Sequence, residues 1–178
     1  MTAARQWGAE DYIRALELQP HPEGGHYRRT YASADQLPVG VSGRHAGARP
    51  LATAIHFLLR SGEVSHLHRL QSDELWHFHL GDPLRIHMLH PDGRHEVKTL
   101  GAALWQGMSL QVAVPHGVWF GAEPVTPATS GFSLISATVA PGFDFADFEL
   151  ADRARLLRQH PDHNALIERL TSGRQAGN

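Results

Sequence analysis

From Arg49 to Ala140 the chain is written in short apolar or alternating runs, with a turn signal about every ten residues. The runs are LATAIHFLL (51–59), VSHLHRL (64–70), ELWHFHL (74–80), LRIHML (84–89), HEVKTL (95–100), MSLQVAV (108–114), GVWFGA (117–122) and FSLISATVA (132–140). Ser61-Gly62, Gly81-Asp82-Pro83, Pro91-Asp92-Gly93, Gly107 and Pro115 punctuate them, each able to turn the chain through positive φ or a fixed proline φ. Such a succession predicts an all-β sandwich or barrel over about 26–140. The flanks carry a different period. Tyr12, Ile13 and Leu16 share one face of a helix predicted over about 9–18, which Pro20 and Pro22 close. Past Pro141-Gly142, ADRARLLRQ (151–159) and HNALIERL (163–170) predict helices within about 151–171, the second opened by Pro161-Asp162, with a fraying tail after Thr171. Residues 32–48 are polar and Gly-rich, without periodicity, and predict a long loop.

Composition narrows the function classes. The 178 residues suit one domain spanning 1–178, and 42% hydrophobic with 19% charged residues is the make-up of a folding globule. Lys and Arg number 16 against 18 Asp and Glu, so no basic footprint for nucleic acid or anionic membrane is present. The start, MTAARQWGAEDY, has no apolar leader core, and no stretch approaches the roughly 20 apolar residues of a membrane span, so a cytoplasmic location is expected. With no cysteine, disulfides, thiolate metal sites and cysteine nucleophiles are excluded. The chain has 14 histidines instead, and His56, His66, His68, His77, His79, His87, His90 and His95 crowd into the predicted barrel.

Ser65-His66-Leu67-His68 places two imidazoles at i and i+2, on one face of a strand. Glu74 follows after a connection short enough for a hairpin and can return beside them, so His66, His68 and Glu74 are candidate ligands of one divalent metal (zinc, manganese, iron or nickel), or a metal-free proton-transfer set. The plain alternative is that these histidines are hydrogen-bonded strand residues. By the same alternation Trp76 and Phe78 point inward with Glu74, while His77 and His79 look outward or into a subunit interface.

The spacing Gly62-x3-His66-x-His68-x5-Glu74-x6-Gly81 resembles the first motif of the cupin superfamily, whose two His and Glu are metal ligands. The second motif of that superfamily supplies a fourth ligand as Pro-x-Gly-x-x-His; Pro115-His116-Gly117-Val118-Trp119-Phe120 puts Phe120 at that position. LxPHPEGGHYRRTY (18–31), TAIHFLL (53–59), SHLHRLQSDELWHFHLGDPL (65–84), VPHGVWFGA (114–122) and PGFDFADFEL (141–150) resemble the small-cupin family of unknown function. The resemblance implies a jelly-roll β-barrel, usually a homodimer, similar in shape to sugar-nucleotide epimerases, with no assigned reaction.

Other residues carry weaker chemistry. In Pro22-Glu23-Gly24-Gly25-His26-Tyr27-Arg28-Arg29, the tyrosine and arginines could cross the barrel mouth and clamp an anionic ligand, and Glu23 is expected to cap or pair locally. Trp76, Trp119 and Phe120 suit a wall that stacks a flat or sugar-like ligand. Phe143-Asp144-Phe145-Ala146-Asp147-Phe148 is expected to anchor the C-terminal helices. Two functions follow as expectations: a small-molecule enzyme using His66, His68 and Glu74, metal-assisted or epimerase-like, or a metabolite-binding module with a degenerate metal site.

Overall fold

The computed structural model describes residues 7–172. In chain order the elements are α1 (Ala9–Ala15), β1 (Gln19–Pro20), β2 (His26–Ala32), β3 (Gln36–Leu37), β4 (Arg49–Pro50), β5 (Thr53–Arg60), β6 (Ser65–Leu70), β7 (Asp73–Gly81), β8 (Leu84–Leu89), β9 (His95–Leu100), β10 (Gln111–Val114), β11 (Trp119–Pro124), β12 (Phe132–Ala140), β13 (Phe148–Leu150), α2 (Arg153–Gln159) and α3 (Asn164–Arg169). A six-stranded sheet, β1-β2-β5-β12-β7-β10, faces a five-stranded one, β13-β6-β11-β8-β9, and the named strand pairs in both are antiparallel. This is the jelly-roll architecture expected from the strand pattern.

Strand alternation decides what fills the barrel. Phe57 on β5, Trp76 on β7 and Ile135, Ala137 and Val139 on β12 point inward against Leu70, Ile86, Met88, Phe120 and Ala122 of the opposite sheet. The outer faces are covered separately. Leu67, Leu89 and Trp119 pack under Leu156, Leu166, Ile167 and Leu170 of the C-terminal helices, and Leu58, Phe132 and Leu134 pack under Tyr12, Ile13 and Leu16 of the N-terminal one. Burying two-sided strands in this way explains why β5 and β12 read as nearly continuous apolar runs.

Three elements differ from the sequence expectation. The first helix stops at Ala15, short of 18, because Glu17 turns left-handed at φ 52° and the Leu18 amide reaches back to the Ile13 carbonyl at 2.9 Å, seating Leu18 in the core. The segment expected only to anchor helices contributes β13, which pairs Phe148 with Leu70 and Leu150 with His68 along the edge of β6. The predicted loop at 32–48 includes β3, whose Gln36 and Leu37 pair with β4. The fraying expected after Thr171 lies almost wholly outside the described residues. Among the described residues no helix is long and apolar enough to cross a membrane.

Candidate functional site

A bulge in β6 sets the site. Phe120 pairs with His68 and Ala122 with Ser65, so two steps along β11 oppose three along β6. The extra residue reverses the alternation: Ser65, His68 and Leu70 turn into the barrel, and Leu67 turns out onto the C-terminal helices. His66 therefore does not share a face with His68. Gly121 makes room for the bulge, since a Cβ there would stand 2.8 Å from the Ser65 carbonyl oxygen.

Against this bulge lies the turn preceding β2. The Glu23 carbonyl accepts from the His66 backbone N–H at 2.7 Å and from His66 Nδ1 at 2.7 Å, so His66 holds the turn instead of entering the barrel. Gly24 (φ 106°) and Gly25 (φ 70°) are left-handed, which only glycine adopts without strain. A Cβ on Gly24 would also sit deep inside van der Waals contact of the Val64 carbonyl. Gly24→Ala is thus expected to push the turn off β6 at about 2–3 kcal/mol. Thermal melts should show the midpoint lowered by about 5–10 °C; an unchanged midpoint would refute this packing.

The turn delivers Glu23 into the barrel, where it is 6% exposed. Its Oε1 accepts from Ser65 Oγ at 2.8 Å, and its Oε2 lies 3.2 Å from His68 Nε2 and 3.4 Å from His21 Nδ1. His68 Nδ1 donates to the His66 carbonyl at 2.8 Å, which leaves Nε2 of the neutral ring as an acceptor aimed at Glu23. His21 Nδ1 accepts from the Glu23 backbone N–H at 3.3 Å, so it too offers a lone pair to Oε2. A proton on Glu23 Oε2 satisfies this arrangement, hydrogen-bonded to His68.

Electrostatics agree with that assignment. Burial holds the His68 imidazole down at about 4, only partly offset by its bond to the His66 carbonyl, so it is neutral at pH 7. Burial raises the Glu23 carboxyl, against the pull of His21, Ser65 and His66. Glu74, on β7 opposite Val139 and Val114, is pushed up to about 8 by burial and then by the nearby Glu23, with the Trp76 indole drawing it slightly back. Glu74 Oε2 and Trp76 Nε1 are both buried and neither completes a hydrogen bond of normal geometry, although the indole lies near enough to the carboxyl to draw its pKa down. In an interior where buried polar atoms are almost always paired, these two stand out, and both of their residues line one cavity.

That cavity is lined by His21, Glu23, Tyr27, His68, Glu74 and Trp76 on its polar side and by Ile55, Phe57, Ala137, Val139 and Phe143 on its apolar side. It brings together five of the residues given ligand or catalytic roles from the sequence, His68, Glu74, Tyr27, Trp76 and, on its lining, Arg29. The others lie elsewhere. Arg28 points to the outer face opposite His56 and pairs with Glu17. Trp119 sits beneath the C-terminal helices with the Arg69 guanidinium 4.5 Å over its ring, and Phe120 is core, its ring 4.1 Å from that of His68. His77 and His79 face outward as strand alternation requires, bonding Gln111 and Ser136. His116 is exposed and paired with Asp73.

A divalent metal held by His66, His68 and Glu74 does not fit this geometry, because His66 is committed to the Glu23 turn outside the barrel. Among the described residues no group of three or more His, Asp or Glu is arranged to hold one. Sequence reasoning missed Glu23 and His21 as members of the site. The signal was present in Pro20-His21-Pro22-Glu23-Gly24-Gly25, a turn too constrained to leave its polar side chains to chance.

Known proteins resemble this chain in sequence and fold. The model of a family described as Cupin superfamily (DUF985) matches residues 10–151. A crystal structure of a protein from Shewanella oneidensis is 41% identical, covering 94% of this chain and 99% of that one, with a TM-score of 0.85. A hypothetical protein from Leishmania major is 36% identical over 93% of this chain and 99% of its own, also with a TM-score of 0.85. An uncharacterized protein of Saccharomyces cerevisiae is 29% identical over 148 residues, 78% of this chain and 72% of the yeast protein.

Proposed function

The chain belongs to the DUF985 family of the cupin superfamily, and from that membership and the donors in its pocket we propose a small-molecule enzyme that moves a proton beside a carbonyl. The chemistry is epimerase- or isomerase-like, on a sugar or oxo-acid type of substrate, with Glu23, His68 and Glu74 as its acid–base groups. The observation that carries this reading is the unpartnered Glu74 carboxyl in a cavity that also holds the Glu23–His68 couple.

Glu74 is protonated up to about pH 8 and donates to the substrate carbonyl oxygen, a neutral acid that stabilises the enolate as charge develops there. In the fraction of molecules whose Glu23 has released its proton to solvent, the Glu23–His68 couple, with Oε2 and Nε2 3.2 Å apart, accepts the proton of the adjacent carbon. The couple returns the proton on the same face to the neighbouring carbon while Glu74 recovers a proton from the enol hydroxyl; inversion at the original carbon requires the enol to turn over in the pocket first. The zinc, manganese, iron or nickel ion implied by the resemblance enters no step.

The test is deuterium uptake at the carbon next to the carbonyl, followed by proton NMR in heavy water with pyruvate, dihydroxyacetone phosphate and fructose 6-phosphate. Exchange above the buffer rate is expected with at least one, and His68→Asn should lower it about 100-fold or more. Equal exchange in the variant would overturn the assignment. A non-catalytic metabolite binder is the second reading, favoured by the Phe120 ring packed on His68 where a fourth ligand is expected; it predicts binding with no exchange.

A further inference from the structure

The arginines around the barrel are tied to carboxylates: Arg28 to Glu17, Arg49 to Asp147 at 2.7 Å, Arg60 to Glu10 and Glu63, and Arg69 to Glu149. Arg29 is different. It pairs with Ile55 in the register of β2 on β5, so its side chain leaves the sheet on the barrel side, and among the described residues it has neither an ion pair nor a hydrogen bond. Arg29, an exposed residue, lines both the inner cavity and an outer vestibule built from Gln19, Tyr27, Phe143, Asp144 and Phe145. Asp144, a carboxylate in that vestibule, accepts from the Ala146 backbone N–H at 2.8 Å through Oδ1.

The two chambers differ in size. The inner one has about 40 Å³ of room, enough for about three waters. The vestibule has about 450 Å³. Only the reactive end of a ligand enters, and the remainder stays beside Arg29. A free guanidinium at the mouth and orphaned Glu74 Oε2 and Trp76 Nε1 at the floor define the two ends of what binds.

Resting on the reading of the pocket as a small-molecule site, we infer that its substrate is a small anionic compound, a carboxylate or phosphate ester bearing a hydroxyl or carbonyl group. The anionic head sits on Arg29 at the mouth, and the uncharged oxygens reach Glu74 and Trp76. The fork geometry of the guanidinium suits either anion.

Titration calorimetry with pyruvate, gluconate and glucose 6-phosphate, against the uncharged hydroxyacetone and glucose, tests this at one ionic strength. At least one anion is expected to bind ten-fold or more tighter than its uncharged counterpart, and the one that does separates carboxylate from phosphate. Arg29→Gln should erase that advantage, while Arg28→Gln, on the outer face, should leave it intact. The inference is overturned if uncharged compounds bind equally well, if Arg29→Gln binds anions like the parent protein, or if no anion binds. Glucose binding that is lost in Glu74→Gln but indifferent to Arg29 overturns the anion inference and leaves the pocket standing. Anion binding that needs Arg29, with no deuterium uptake in any substrate, supports the inference and overturns the enzymatic reading.

Discussion

Glu74→Gln is expected to stabilise the protein at neutral pH while lowering proton exchange about 100- to 1000-fold. The carboxyl titrates near 8 in the barrel against 4.5 for a free glutamate. Between those values the native state binds the proton that the unfolded state has released, so stability is fully present below about 4.5 and is lost as pH rises toward 8. At pH 7 the penalty is about 3 kcal/mol, from roughly 2.5 units at 1.36 kcal/mol each. Glutamine has nearly the same shape and no proton to lose, so it escapes the penalty and forfeits the acid. Calorimetric melts of both proteins at pH 4.5, 7 and 8.5 check this: the variant's advantage should be near zero at the lowest pH and grow to several degrees. His68, lowered to about 4, costs both proteins stability as pH falls below 6.5, and this contribution cancels in the comparison. A difference that does not vary with pH would refute the buried, protonated carboxyl.

How far the sequence carried depended on whether a residue's orientation was a local matter. ELWHF fixes Glu74 and Trp76 on the inner face because β7 alternates normally up to Phe78, before its register against β12 shifts at His79, and its partners Val139 and Val114 confirm the side. The same rule fails on the preceding strand, β6. The bulge opposite Gly121 sends His66 and His68 to different sides, and nothing in SHLHRL announces an extra residue whose cause lies on β11. Arg28 and Arg29 pose the parity problem again: only the register of β2 against β5 turns Arg29, still exposed, toward the barrel mouth and Arg28 to the outer face. Trp119 reads as a pocket wall until the C-terminal helices are seen to bury it from behind. Glu23 was hidden by distance, since its partners Ser65 and His68 lie more than forty positions along the chain. Local pattern fixes which residues are buried; long-range pairing fixes what they are buried against.

Asp82→Asn is expected to have the reverse effect, a large loss of stability with the chemistry retained. Asp82 is buried at the turn from β7 to β8, 1% exposed. Its Oδ1 accepts from Thr129 N at 2.7 Å, Thr129 Oγ1 at 2.9 Å and Ser130 N at 2.8 Å, and its Oδ2 accepts from Gly131 N at 2.8 Å. Burial alone would raise this carboxyl as it raises Glu74, but the donors of Ser130, Thr129 and Gly131 outweigh it and hold Asp82 below its usual range. An amide nitrogen in place of either oxygen turns at least one of these bonds into two donors facing each other, at a cost of about 3 kcal/mol. Chemical denaturation at pH 7 should show that loss as a lower midpoint at unchanged slope. The sign with pH is opposite to that of Glu74. A lowered folded pKa supplies stability above the unfolded value near 3.8 and loses it as pH falls through the folded value, so parent and variant should converge in strong acid. Deuterium exchange below the variant's melting range should match the parent, because Asp82 and the 129–131 turn lie outside the cavity. Two carboxyls shielded from solvent thus behave oppositely according to their donors: four bonds hold Asp82 as a structural anion, while burial and the neighbouring Glu23 keep Glu74 protonated.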